Sequence, residues 1–221
     1  MATRELLREL AAGYQAASAC HVLSESAGGV DVAKRVHAGE VADVVVLARA
    51  AIDKLAADGK LLAASRVDLV RSGIAVAVPA DAPRPDLSSE AAVKRAVQAA
   101  RTVSYSTGPS GVYLEKIFER WGILEDLRAR IVVPPPGIPV GSLVAARKVE
   151  LGFQQLSELM NLEGVAIAGM LPPDLQSMTT FSGAIAAVSG NFAAAQRLLD
   201  YMAAPERAPL KARHGMEPAT T

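Results

Sequence analysis

The chain has 221 residues with 23 basic and 23 acidic side chains well mixed, so no basic stripe or acidic tail points to nucleic acid or an anionic membrane surface. Half of the residues are apolar (51%) but only 4% are aromatic, so Ala, Val and Leu must build the core, as small side chains do in α/β proteins. The single cysteine, Cys20, excludes an internal disulfide and a cysteine-based metal site, and no apolar run of about 18 residues is long enough to cross a membrane.

The first element is a helix: Leu6, Leu7, Leu10, Ala11 and Tyr14 fall on one stripe, with Thr3 placed to cap it. The same stretch, "MATRELLRELAAGYQAA", mixes charges with its leucines and lacks a signal peptide's apolar core. As written, the chain is therefore expected in the cytoplasm, or in the periplasm if the native start lies upstream. A short strand (20–24), a helix (30–38), the buried strand "DVVVLA" and the helix "AAIDKLAADGK", ending at Gly59, follow in turn. "RVDLVRSGIAVAVP" is extended and apolar. The Pro-rich "ADAPRPDLSS" marks a lobe boundary, with Ser88 or Ser89 capping the helix "EAAVKRAVQAA".

The alternation then restarts. "TVSYS" is a strand, "TGPSG" a loop and "VYLEKIFERWG" a helix closed by Gly122. "RIVVPPPGIPVGS" predicts a strand and a stiff turn before the helix "LVAARKV". The strands "ELGFQQ" and "VAIAGMLPP" precede a second Pro-rich break. A long apolar strand, "MTTFSGAIAAVSG", and the helices "FAAAQRLLDYMAA" and "ERAPLKARHG" complete the chain. Strands alternating with helices of about ten residues predict parallel α/β sheets in two series.

"LSESAGGVDVAKRV" (23–36) runs from a strand through Glu25, Ser26, Ala27, Gly28 and Gly29 into a helix, leaving backbone N–H groups aimed at one spot. "SYSTGPSGVYLEKI" (104–117) repeats that pattern, with Ser106, Thr107 and Ser110 adding hydroxyls beside Gly111. Ligands of open sheets collect beyond the carboxyl ends of strands, so one such loop per lobe predicts an anion or carboxylate cleft between the lobes. "GIPVGSLVA" opens another helix at Val140, Gly141 and Ser142, and "LGFQQLSEL" ends a strand in Gln154 and Gln155, each with amide donors. His21, His37 and His214 have no partners at ligand spacing. No nucleophile elbow, Walker loop or dinucleotide fingerprint occurs. Acid–base candidates are Glu25, Glu158 and Tyr113, each beside one of the loops, although capping or solvation is the stronger reading of each.

The order of these pieces resembles the type 2 periplasmic solute-binding proteins, in the molybdate-binding-protein-like branch. "HAGEVADVVVLARAAIDKLAADGKL", "SRVDLVRSGIAVAVP", "GPSGVYLEKIFERWGI", "ELGFQQLSEL" and "HGMEPA" carry the likeness in order over nearly the whole chain. The resemblance implies an α/β, two-lobed type 2 periplasmic-binding-protein fold, with lobe 1 formed by residues 1–82 and 178–221 and lobe 2 by 83–177. It implies a small anionic ligand held in the interlobe cleft by Ser26, Gly28, Gly29, Thr107, Ser110, Gly111, Val140, Gln154 and Gln155. It implies no metal or cofactor, and an ABC permease as partner if the protein is exported.

Three departures shape the expectation. Met1 sits about where the family's first helix starts, so either the native start lies upstream or the first ligand loop has been lost; Gly28 and Gly29 stand where molybdate-binding relatives have serine, and Gln155 stands where those relatives commonly have Tyr. Fewer hydroxyls fit a tetrahedral oxyanion poorly and favour a small organic di- or tricarboxylate, which Arg49 could pair bidentately. The branch includes aconitate-isomerase-like enzymes, which shift a double bond by moving a proton, with Glu25 or Glu158 as the base here. The leading expectation is a carboxylate-binding protein; the alternatives are such an isomerase and an oxyanion binder of a transporter. The missing export signal favours the enzyme, and the lack of an obvious base disfavours it.

Overall fold

The computed structural model describes residues 1–135 and 138–219. Helix α1 (Arg4–Ala17) buries Leu6, Leu10, Ala11 and Tyr14, the predicted stripe. Thr3 occupies the N-cap position but makes no side-chain cap, because its backbone is helical (φ −92°, ψ 0°) and not extended as a capping residue requires. Residues 20–24 form no strand, contrary to the expectation. No neighbour pairs them: Leu23 is 87% exposed and the Val22 N–H donates to Gln15 Oε1 at 2.7 Å. An apolar run becomes a strand only where a second strand takes its backbone groups.

Helix α2 (Gly29–His37), strand β1 (Val44–Ala48) and helix α3 (Arg49–Ala57) follow, and Gly59 takes the left-handed turn (φ +70°) after α3. The extended run predicted next is two strands, β2 (Val67–Ser72) and β3 (Ile74–Pro79), in different sheets. Gly73 separates them; a Cβ there would stand 2.8 Å from Met170 Cε and 3.0 Å from Met178 Sδ. Helix α4 (Glu90–Ala99) starts at Ser89, whose Oγ accepts from Ala92 N–H at 3.2 Å as expected.

Strand β4 (Val103–Tyr105) leads into helices α5 (Pro109–Arg120) and α6 (Leu124–Leu127). The strand predicted in "RIVVPPPGIPVGS" shrinks to one parallel bridge between Ile131 and Val103, since the prolines that follow have no N–H to continue a ladder. Its turn at 136–137 lies outside the described residues. Then come helix α7 (Val140–Ala145), strand β5 (Leu151–Gln155), helix α8 (Leu156–Leu159) and strands β6 (Val165–Met170) and β7 (Thr179–Ile185). Helices α9 (Phe192–Ala203) and α10 (Ala208–Arg213) and the short strand β8 (Glu217–Pro218) end the described chain.

The chain divides into two compact units, Met1–Ser72 with Thr179–Thr221, and Gly73–Met178. The sheet of the first unit has the order β1-β7-β2-β8, with every pair antiparallel. That of the second has the order β4-β5-β3-β6, and only β4 and β5 pair in parallel. The expectation of parallel sheets is thereby corrected. Helical crossovers align β1 with β2 and β4 with β5, but β7 and β3 enter their sheets from the other unit without a helix and run against their neighbours.

In the second unit Ile74, Val76, Val103, Tyr105, Leu114, Phe118, Leu151 and Phe153 form the main core, with the Phe118 ring 6.0 Å from Tyr105 and 6.3 Å from Phe153. The other face of this sheet is small: Ala75, Ala77, Ser104 and Gly152 are all fully or nearly fully buried. A Cβ on Gly152 would stand 2.7 Å from Val144 Cγ2 and 2.8 Å from Val140 Cγ1, so small side chains let α7 lie close to the sheet.

The first unit buries a lysine that pairs with no carboxylate among the described residues. Lys211 is 2% exposed, and its Nζ reaches the Ala203 carbonyl at the end of α9 at 3.5 Å. Burial pushes its ammonium below the usual lysine range. The unfolded chain therefore binds more protons between the folded pKa and about 10.4, and this residue's contribution to stability rises with pH across that window. Lys211→Met should stabilise the protein at pH 7 by about 1 kcal/mol or more, since an apolar group of similar volume removes a buried charge. The gain in melting temperature should shrink as the pH approaches that of a free lysine.

Candidate functional site

In the parallel β4–β5 pair Tyr105 lies opposite Phe153, so residues 106–108 leave the sheet beside Gln154 and Gln155. Adjacent parallel strands lie about 4.8 Å apart. The two junctions, β4 to α5 and β5 to α8, therefore open at the same edge. The start of α7 joins them, because Gly141 N–H donates to Gln154 Oε1 at 3.3 Å. Thr107, Ser110, Gly111, Val140, Gln154, Gln155 and Glu158 thus gather around the carboxyl ends of two neighbouring strands.

The details differ from residue to residue. Thr107 is exposed, whereas Ser110 is 3% exposed and shares a 3.1 Å hydrogen bond with the Ser106 hydroxyl. Ser106 Oγ also accepts from Gly108 N–H at 3.3 Å, and Gly111 N–H donates to the Gly108 carbonyl at 3.0 Å. Gly111 is required by space: a Cβ there would sit 1.6 Å from the Ser106 carbonyl oxygen. Val140 opens α7 after Pro139, so its N–H has no acceptor within the helix.

Gln154 and Gln155 are both buried but, as neighbours on a strand, point to opposite faces. Glu158, half-buried within the single turn of α8, has its carboxyl pushed above the usual carboxylate range by burial. Ser104 Oγ, on the same face as Gly152, has no hydrogen-bond partner among the described residues. Tyr113, the third acid–base candidate, donates its hydroxyl to the Leu175 carbonyl at 3.1 Å.

The first unit holds the other predicted loop. Ser26 and Gly28 lie in an irregular segment, and α2 begins at Gly29 with Gly28 as N-cap. Asp31, in the first turn, brings its Oδ2 to 3.1 Å from where a Gly28 Cβ would be, which places a carboxylate beside these N–H groups. Glu25 is clamped by Arg35, whose two terminal nitrogens donate to its two oxygens at 2.7 and 2.9 Å. This pairing holds the Glu25 carboxyl below the usual range, the reverse of what a general base at neutral pH needs. Arg35 also grips Glu40. Sequence spacing gave no hint of that clamp, since ten residues separate Glu25 from Arg35. Arg49 pairs with Asp68 at 3.1 Å, and Ser182 Oγ donates to the other Asp68 oxygen at 2.6 Å. Of the histidines, His214 pairs with Glu9 at 2.8 Å and His37 stands 3.7 Å from Asp58.

The family model of the bacterial extracellular solute-binding proteins matches residues 1–217. The chain belongs to this family. Among curated proteins, this solute-binding-family member is 38% identical over 220 residues to an aconitate isomerase from a Pseudomonas species, covering 96% of this chain and 83% of that protein. Among solved structures it matches the periplasmic molybdate-binding protein of Azotobacter vinelandii with a TM-score of 0.79 at 21% identity, over 97% of this chain and 94% of that one. It also matches the periplasmic binding protein AgtB of A. tumefaciens, in complex with agropinic acid, with a TM-score of 0.73 at 13% identity, over 99% of this chain and 80% of that one. The fold is therefore the two-lobe type 2 periplasmic-binding-protein fold. No helix among the described residues is long and apolar enough to cross a membrane.

Gly111→Ala should lower stability by about 3 kcal/mol, because the backbone at Ser106 must move to admit the methyl group. Thermal unfolding checks this. A melting temperature within a degree of wild type would mean the β4–α5 loop is not held against α5.

Proposed function

We propose that this protein binds a small organic di- or tricarboxylate and moves its double bond by proton transfer at carbon, as an isomerase of the aconitate isomerase type. The observation that carries the reading is 38% identity to an aconitate isomerase across 96% of the chain. The donors proposed for the ligand are the hydroxyls and backbone N–H groups of Thr107, Ser110, Gly111 and Val140 and the amide of Gln155, all in the second unit. Helix-start N–H groups suit carboxylate oxygens and the charge that builds on them as a neighbouring C–H is broken.

The base is Glu158 in preference to Glu25, because burial raises the Glu158 pKa toward the operating pH while Arg35 lowers that of Glu25. Glu158 takes a proton from the allylic carbon, and the electron pair spreads into the adjacent double bond and carboxylate. The same proton, or one from solvent, returns at the far end of the allyl system. One C–H bond breaks and another forms, with no change in oxidation state.

A second reading is favoured by the family match: a pure solute-binding protein that holds the anion for an ABC permease. Incubation with trans-aconitate in heavy water separates the two. The isomerase incorporates deuterium into the ligand; a binder leaves its C–H bonds untouched. Glu158→Gln should abolish exchange while leaving the dissociation constant within about threefold, and Glu25→Gln should retain it. The reverse pattern would make Glu25 the base. The wild-type exchange rate should rise with pH through a midpoint above that of an ordinary glutamate, because the base must be ionised to act.

Ligand class is tested by thermal shift. At a hundred times its dissociation constant, trans-aconitate should add about 2.7 kcal/mol of stability. Molybdate, sulfate and phosphate should add less at the same concentration, and a larger shift with molybdate would replace the carboxylate reading by an oxyanion binder.

A further inference from the structure

The chain passes between its two units twice, at Ser72–Gly73 and at Met178–Thr179. On the first-unit side the two connections are strands of one ladder, β2 and β7, which ends with Ser72 opposite Thr179. On the second-unit side the first connection becomes β3 at Ile74, whereas residues 176–178 of the second belong to no strand. An irregular neighbour offers no regular row of backbone partners, so the start of β3 needs them from another source.

A side chain supplies them. Gln176 Oε1 accepts from Ile74 N–H at 2.7 Å, and Gln176 Nε2 donates to the Ile74 carbonyl at 3.0 Å. The amide thus meets Ile74 as a residue of a paired strand would, oxygen to N–H and N–H to carbonyl. It also accepts from Ser177 N–H at 3.0 Å and donates to the Leu171 carbonyl at 3.4 Å. Both donors and both acceptor positions of the amide are used, which fixes its orientation. The Ile74 carbonyl further takes Leu171 N–H at 3.1 Å, and the Gly73 carbonyl takes Leu156 N–H, the first of α8, at 3.0 Å. Ile74 itself lies opposite Gln155.

Between the ladder and the amide stands Gly73, the residue type with the widest backbone freedom. The ends of Met170 and Met178 lie against it, and such unbranched side chains re-pack readily. Rotation about the Gly73 N–Cα bond turns what precedes it and leaves its carbonyl with Ile74 and Leu156.

We propose that Gln176 is a clamp that ties the second connection to the first at Ile74, so that turning of the connections takes place at Gly73 and residues 177–178 and not within β3. The strand end that carries Gln155 and α8 is thereby shielded. A bend inside β3 would pull on the Ile74–Gln155 pair and on Leu156 N–H, whereas a turn at Gly73 leaves both in place. This does not depend on which ligand the protein takes, or on whether it is an enzyme.

Amide hydrogen exchange followed by NMR reads the clamp. Pulsed dipolar spectroscopy reads the turning, between spin labels at Arg197→Cys on α9 and Lys116→Cys on α5, both exposed, with the free thiol removed by Cys20→Ser. Gln176→Met removes all four bonds. Gln176→Glu keeps the acceptor for Ile74 N–H but sets a carboxylate, with no donor, against the Ile74 carbonyl; being nearly isosteric, it carries the test if Gln176→Met does not fold. Gln176→Met should lower the protection of Ile74 about tenfold, the effect of one net hydrogen bond, and lower that of Leu156 and Leu171 with it. The distribution of label distances should widen. Gln176→Glu should widen it too, while Ile74 keeps most of its protection. Loss of protection at Ile74 alone would make Gln176 an ordinary loop contact and overturn the proposal. Unchanged Ile74 protection in Gln176→Met, or an unchanged distance distribution in either variant, would overturn it as well.

Discussion

The parallel pairing of β4 with β5 is the constraint on which the candidate site depends. Both strands run in one direction because the crossover between them, through α5 and α7, returns the chain to the same end of the sheet. Their carboxyl ends therefore open side by side, and every helix that starts there points its unbonded N–H groups to the same edge. The small residues beneath α7 complete this arrangement. Gly152, Ala75 and Ala77 let the helix sit low enough for Gly141 N–H to reach Gln154.

Charge explains the chemistry such an edge suits. The arginines nearest the predicted loops of the first unit are paired internally, Arg35 with Glu25 and Glu40 and Arg49 with Asp68. These pairs are largely exposed, so they fix loop geometry more than they add stability. With those guanidinium groups engaged by carboxylates, dipolar donors become the natural partners for an anion. One fold can then serve a molybdate-binding protein, a protein bound to agropinic acid and an aconitate isomerase.

The same economy makes a catalytic role accessible to a binding scaffold. A proton transfer at carbon next to a carboxylate needs an anion-holding edge and one base of suitable pKa. Under the proposed reading, a half-buried glutamate just beyond a strand end would meet the second need.

The sequence by itself determined the elements. Periodicity located α1, α2, α3, α4, α5 and α9 within a few residues, Ser89 declared its cap, and small-residue loops marked the helix starts at Gly29 and Pro109, because local geometry follows from nearest neighbours in the chain. Order along the chain also carried the family and its two-lobe fold. What the chain could not declare was pairing across distance. Residues 20–24 had a strand's composition but no partner, Thr3 a cap's chemistry but a helical backbone, and β3 and β7 run against their neighbours because they enter from the other unit. Glu25 and Glu158 looked alike as candidate bases until tertiary structure set Arg35 against one and buried the other. Only the folded chain decides a pKa, because a carboxyl responds to what stands beside it in space, and that neighbour is rarely its neighbour in sequence.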